Sequence, residues 1–332
     1  MKKNLVFIGI DVSKATLDIF IHGFKYSFIV ENNPQGFVVI LETSCKVTNC
    51  NKEDLFFCFE NTEKYSRMLS AFFHTNSLKF AMEPALRIKK SLGMTRGKSD
   101  KVDAKRIALY AYEKRDRLVP TVLPGIKIDQ IKSLLSLREK LIKHRIAYKN
   151  GLTDLYDCYI EGENNLIKEV QLGLISGLNK EIEKIEKQIY GIIRADENMS
   201  KNFKLILSVK GIGKIIGFYL IAFTANFTLF ANARSFACYA GIAPFGYSSG
   251  TVNGTPRVHP FANKQLKSLL NLAAQSVIQV RGECRQYYNR RVNELGKSKM
   301  STLNIIRNKI VFRVFAVVQR QTPYIDLYKF AA

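Results

Sequence analysis

The stretch Leu5-Val6-Phe7-Ile8-Gly9-Ile10-Asp11 is an apolar run that ends on a carboxylate. A short apolar run of this kind predicts a strand, and the similar run Leu55–Phe59 is of the type buried on both faces. Outward from it, Ala15–His22 and Lys25–Val30 continue as two further strands. The Asp11-Val12-Ser13 corner and Gly23 supply the bends between them. Asn33-Pro34-Gln35-Gly36 then interrupts the chain, and Phe37–Cys45 takes helical apolar spacing. Leu55–Phe59 repeats the opening pattern and closes on Glu60. Glu63–His74 returns to a helical period, Leu78–Met82 is a fifth strand, and Pro84 breaks it. The order β-β-β-α-β-α-β, followed by helices, predicts an α/β domain over residues 1–120, a mixed sheet with flanking helices.

Two of these strands bring an acid to their ends, Asp11 and Glu60. Two more acids, Asp100 and Asp103, lie one helical turn apart in Lys98-Ser99-Asp100-Lys101-Val102-Asp103-Ala104-Lys105-Arg106. Gathered by the fold, these four carboxylates make a hard, oxygen-only donor set suited to Mg²⁺ or Mn²⁺. Each also has a plainer reading. A strand-end Asp is commonly a turn residue, and an Asp-x-x-Asp pair among lysines is commonly a solvated, salt-bridged face.

Charge selects among the uses of such a site. The 332 residues carry 51 Lys and Arg against 28 Asp and Glu, a formal net charge of +23. That surplus calls for a polyanion, and nucleic acid is the usual one, so the acids point to metal-assisted chemistry on phosphates. With 47% hydrophobic residues the chain is globular, with room for two or three domains. The six Cys, at 45, 50, 58, 158, 238 and 284, form no CxxC pair and read as thiols of a reducing cytosol. The N-terminus reaches Asp11 too soon for the apolar core of a signal peptide. Ile215–Phe230 is too short and too interrupted for a membrane span and reads as a buried core helix.

From Ile126 to about Ala195 the pattern changes to two long amphipathic helices joined near Gly162. They form a helical hairpin or coiled-coil middle domain, residues 121–200, either intramolecular or dimerising. Residues 201–332 read as mainly α. They open on a helix-hairpin-helix-like segment, Leu205 to Lys214, in which Gly211 and Gly213 would let backbone N–H groups approach a phosphate between Lys210 and Lys214. Tyr239-Ala240-Gly241 and Tyr247-Ser248-Ser249-Gly250 follow, then Arg257, Lys264 and helices from about Asn263 to Gln321.

The element order resembles that expected of a ribonuclease-H-like domain, where acidic residues lie at central strand ends and on a late helix. Gly9-Ile10-Asp11-Val12-Ser13-Lys14, Phe59-Glu60-Asn61-Thr62 and Lys98 to Ala104 together resemble the DEDD domain of the IS-one-ten insertion-sequence transposases. That domain is itself similar to the Holliday-junction resolvase RuvC. The Gly211 turn, Tyr239-Ala240-Gly241 and Ser248-Ser249-Gly250 resemble the C-terminal domain of the same family, and Ala262 stands where the family commonly has glycine.

The resemblance implies a DNA transposase or recombinase in which Asp11, Glu60, Asp100 and Asp103 bind the metal and Ser249 is the nucleophile, with Ser248 as its alternative. It further implies donor and target DNA, a noncoding guide RNA, and a homo-oligomer (dimer or tetramer) whose subunits share composite sites. The setting would be bacterial, cytoplasmic and nucleoid-associated, with no membrane. None of the four His is a convincing base for a serine, so activation from the carboxylate site is the better chemistry. Lys14, Lys105 and Arg106 are candidate phosphate contacts near the metals, and Asn61 and Thr62 candidate supports. Two rivals stand beside this reading: a structure-selective nuclease using metal-activated water, and a non-catalytic nucleic-acid-binding protein.

Overall fold

The computed structural model describes residues 5–62, 65–91, 100–158, 165–249, 252–258 and 262–326, with backbone alone at 100–101, 154–158, 165, 247–249 and 252–256. The chain divides into two compact units, Met1–Leu123 and Pro124–Ala332.

In the first unit, β1 (Val6–Val12), β2 (Thr16–Ile21), β3 (Tyr26–Glu31), β4 (Leu55–Glu60) and β5 (Lys79–Glu83) form one sheet in the order β3-β2-β1-β4-β5. The first three strands are an antiparallel meander; β4 runs parallel to β1, and β5 parallel to β4. The opening apolar run is therefore central and buried on both sides. Ile8, Ile10 and Val12 face one helical layer, α1 (Pro34–Thr48) and α2 (Arg67–Thr75), whose Phe37, Ile40, Leu69 and Phe73 also cover Phe57 and Phe59. Phe7 faces the other layer, α3 (Ala85–Ser91) and α4 (Asp100–Glu113), where Ile88, Ile107 and Ala111 close over Phe56, Cys58 and Ala81. A mixed sheet between two helical layers is consistent with a RuvC-like α/β domain. Asn33 starts α1 by accepting a hydrogen bond from the Gly36 N–H (2.8 Å), with Pro34 in the first turn.

Gly9 sets how closely α4 lies on β1. A Cβ there would stand 2.3 Å from both the Ala104 carbonyl oxygen and the Ala108 nitrogen, so a side chain would strike helix backbone. The glycine of Gly9-Ile10-Asp11 thus brings the helix carrying Asp103 down onto the strand carrying Asp11.

In the second unit, α5 (Ile126–Cys158) and α6 (Asn165–Arg194) run antiparallel, joined by Arg138–Glu186 (2.7 Å) and Arg145–Asn179 (2.9 Å). Their Ile131, Leu135, Ile189 and Ile193 enter one core with α7 (Glu197–Leu207), α8 (Lys214–Phe223), α9 (Ala233–Tyr239), α10 (Lys264–Gln279), α11 (Glu283–Asn289) and α12 (Lys299–Arg320).

Two features depart from the sequence reading. Ile215–Phe230 is not one helix. It stops at Phe223, where the Thr224 hydroxyl donates to the Leu220 carbonyl (2.7 Å) and accepts from the Phe227 N–H (2.9 Å), and Ala225, Asn226 and Phe227 all take left-handed backbone. A two-stranded hairpin, β6 (Pro244–Ser249) and β7 (Val252–Val258), also stands among the helices. No described helix is long and apolar enough to cross a membrane.

Candidate active site

Alternation puts Asp11 on the same face of β1 as Phe7 and Gly9, towards α4, and Glu60 on the corresponding face of β4 with Phe56 and Cys58. The parallel register pairs Ile10 with Phe59, so Asp11 and Glu60 follow as neighbours at the strands' ends, about 4.8 Å apart along the hydrogen-bonding direction. The row is longer than the sequence reading foresaw. Asp18 of β2 lies opposite Asp11, and Glu83 of β5 lies opposite Glu60, so four successive strands carry an acid at one level. Asp18 and Glu83 are both buried. A signal for Glu83 was present, since it ends its strand just as Glu60 does; Asp18 sits inside an apolar alternation that gave none.

Asp103 reaches this row from above. It is half-buried on the first turn of α4 and bonded to Arg106 (2.9 Å). Burial pushes the Glu60 carboxyl up from its ordinary value; the Lys89 charge opposes the rise and the Asp103 charge adds to it. Glu60 and Asp103 therefore feel each other, and a cation between them would relieve the repulsion. Asp100 opens α4 one turn earlier, but its carboxylate lies outside the described side chains.

Among the described residues no three His, Cys, Asp or Glu side chains lie close enough to hold one ion. The chemistry of the set nevertheless suits Mg²⁺: carboxylates alone, with mutual repulsion at its centre. The Thr62 hydroxyl, two residues past Glu60, is buried without a hydrogen-bond partner among the described residues.

The candidate phosphate contacts fall in several places. Lys14 is exposed at the corner after β1, and Lys105 lies over the Phe20 ring at 5.9 Å. Arg106 is engaged with Asp103. In the second unit, Lys210 is ion-paired with Asp326. Gly211 has φ +88, and a Cβ there would meet Val277 at 2.7 Å and the Ala273 carbonyl at 2.9 Å, so its missing side chain serves packing on α10. Gly213 is open, and Lys214 begins α8 over the Tyr190 ring at 6.0 Å. Arg257 on β7 and Lys264 at the start of α10 are exposed. Ser248 and Ser249 end β6, with backbone alone described, and Gly250 lies outside the described residues. Ala262 fits beside Gly241, where a Cβ would come within 2.2 Å of the Ala262 Cβ.

Residues 8–160 match a transposase family of the DEDD IS110 type, and residues 203–289 match the Transposase IS116/IS110/IS902 family. Both matched regions point to the same group, the IS116/IS110/IS902-type transposases, and together they span most of the chain. It is 26% identical over 329 residues to the pilin gene-inverting protein of Moraxella lacunata, spanning 96% of this chain and 97% of that one. It is 23% identical over 208 residues to the transposase for insertion sequence element IS1111A of Coxiella burnetii, covering 54% and 55% of the two chains. The first matched region contains all four sequence-selected carboxylates and the second contains Ser249. The chain is thus a transposase-type enzyme acting on DNA.

Proposed function

We propose that this transposase cuts and rejoins DNA strands at the carboxylate face of its first unit, with Asp11, Glu60, Asp100 and Asp103 holding Mg²⁺ and Ser249 forming a covalent phosphodiester with the cut strand. The observation that carries the reading is the meeting of Asp11 and Glu60 on one sheet face beneath the helix of Asp103, drawn down at Gly9. Mg²⁺, when bound, would supply charge neutralisation at the scissile phosphate. The carboxylates would hold that charge in place. The Ser249 hydroxyl attacks phosphorus and displaces the 3′ or 5′ oxygen, which takes up a proton as the serine loses its own; the reverse attack by a second strand's hydroxyl restores the serine.

Residues 1–120 would then carry the metal site, 121–200 a coiled-coil hairpin, and 201–332 the serine loop with a helix-hairpin-helix-like backbone contact. A guide RNA would choose donor and target. Self-association through the hairpin is supported by Leu166, Val170 and Leu174, exposed apolar residues spaced four apart on α6. One relative is named for inverting a gene and another for transposing an element, and a cut-and-rejoin reaction would serve both.

The test is strand cleavage and joining in Mg²⁺. Asp11→Asn is expected to abolish both, and Ser249→Ala to abolish joining together with any covalent adduct. Cleavage that survives Ser249→Ala would favour the water-using nuclease. Cleavage that survives Asp11→Asn would remove the carboxylate face from the reaction.

A further inference from the structure

We propose that Arg87 is a DNA-backbone clamp, a guanidinium fixed beside the row of acids so that it binds a phosphate of the strand lying across them. The proposal rests on the catalytic reading above and adds to it a residue outside every motif singled out in the sequence.

Glu83 is the last acid of the row. It is 8% exposed, and its Oε2 accepts hydrogen bonds from Arg87 Nη1 (2.9 Å) and from the Tyr110 hydroxyl (3.2 Å). A carboxylate enclosed this way is occupied, and its service is to hold its partners. Tyr110 locks it from α4, and burial together with the Glu83 charge pushes the Tyr110 hydroxyl up to about 12, so it stays a donor at neutral pH. The Glu83 carbonyl meanwhile accepts from the Asn61 N–H (3.0 Å), tying the support to the residue after Glu60.

Arg87 is held by Glu83, with Tyr110 beside the pair. Its side chain remains 66% exposed, so most of the five N–H donors of the guanidinium fork face water. A planar cation already oriented by a buried carboxylate loses little further freedom on taking a phosphate, and its fork matches phosphate oxygens in pairs. The helix around it favours the same use. Ile88 is buried in the core beneath α3, and Arg87 and Lys89 leave the helix about 100° to either side of it. The Lys89 charge reaches Glu60. A polyanion crossing a row of carboxylates needs cations at its border, and α3 supplies them at the end of the row where no metal ligand is expected.

The test is equilibrium binding of a labelled DNA duplex by the full chain, with any RNA that copurifies, in Ca²⁺ across a series of salt concentrations. Arg87→Gln should weaken binding about three- to tenfold near 0.1 M salt and lower the slope of log affinity against log salt by about 0.9, the loss of one phosphate contact. Because Arg87→Gln leaves Glu83 without its cation, Glu83→Gln/Arg87→Gln is measured beside it and should show the same loss of slope. An unchanged slope in both variants overturns the proposal, since a role confined to holding α3 alters the folded fraction and not the number of phosphates neutralised. Asp11→Asn tests the catalytic reading separately: if it still cleaves, that reading fails whatever Arg87 does to the slope.

Discussion

Gly9→Ala is the perturbation that couples this fold most tightly to its proposed chemistry. The added Cβ would meet backbone atoms of Ala104 and Ala108 at 2.3 Å, about 1 Å short of ordinary van der Waals contact. Neither atom belongs to a flexible side chain, so α4 has to lift from β1 by about that amount. Overpacking of this kind costs about 1–3 kcal/mol, which a urea melt reads directly as a lower midpoint. The functional cost is separate. Asp103 sits on the same turn of α4 as Ala104, so the lift carries it about 1 Å from Asp11 and Glu60. A misplacement of that size costs about 100-fold in rate even when every reacting group survives. The assay is strand cleavage in Mg²⁺, normalised to folded protein well below the melting range. A normal rate per folded molecule, with stability lowered as expected, would refute the claim that the seating of α4 on β1 sets the carboxylate geometry.

Three further outcomes follow from the structure. Gly177→Ala in the middle of α6, where a Cβ meets nothing within 4 Å, should raise stability by about 0.5–1 kcal/mol in the same urea assay, the opposite sign to Gly9→Ala. Asp196 caps α7 by accepting from the Met199 N–H (3.0 Å) and pairs with Lys127 (3.0 Å), which together hold its carboxyl below the ordinary range. Its contribution is therefore present above the unfolded value of about 3.9 and lost as pH falls through the folded value, so Asp196→Ala should cost about 1 kcal/mol at neutral pH and progressively less on acidification below about pH 4. Asp326→Asn releases Lys210 from its ion pair and should tighten duplex binding about two- to fivefold by fluorescence anisotropy; no change would mean that Lys210 does not meet the backbone.

The sheet was legible because its strands are written as short apolar runs, and burial on both faces leaves little else they can be. Asp11 and Glu60 were legible because each closes such a run. Glu83 is masked in the sequence by Pro84, which marks the strand's end, although its level beside Glu60 depends only on register. The hairpin of β6 and β7 was not legible: Pro244, Gly246, Ser248 and Ser249 are poor strand formers, and Asn253-Gly254, a usual turn signal, lies inside β7 instead. The end of α8 was hidden for a related reason. Ala225 and Phe227 carry no turn preference, and the stop is made by the Thr224 hydroxyl bonding to backbone on both sides. The helical period runs over Glu63–His74 while α2 spans Arg67–Thr75, since an amphipathic pattern does not itself mark a boundary.

The most direct measurement is anomalous diffraction from crystals of the full chain soaked in Mn²⁺, which substitutes for Mg²⁺ and can be located by its scattering. The account predicts a peak on the α4 face of the sheet, about 2.1 Å from carboxylate oxygens of Asp11 and Glu60 and of at least one of Asp100 and Asp103. Ordered Mn²⁺ elsewhere in crystals of active protein, with Asp11 and Glu60 both uncoordinated, would contradict it.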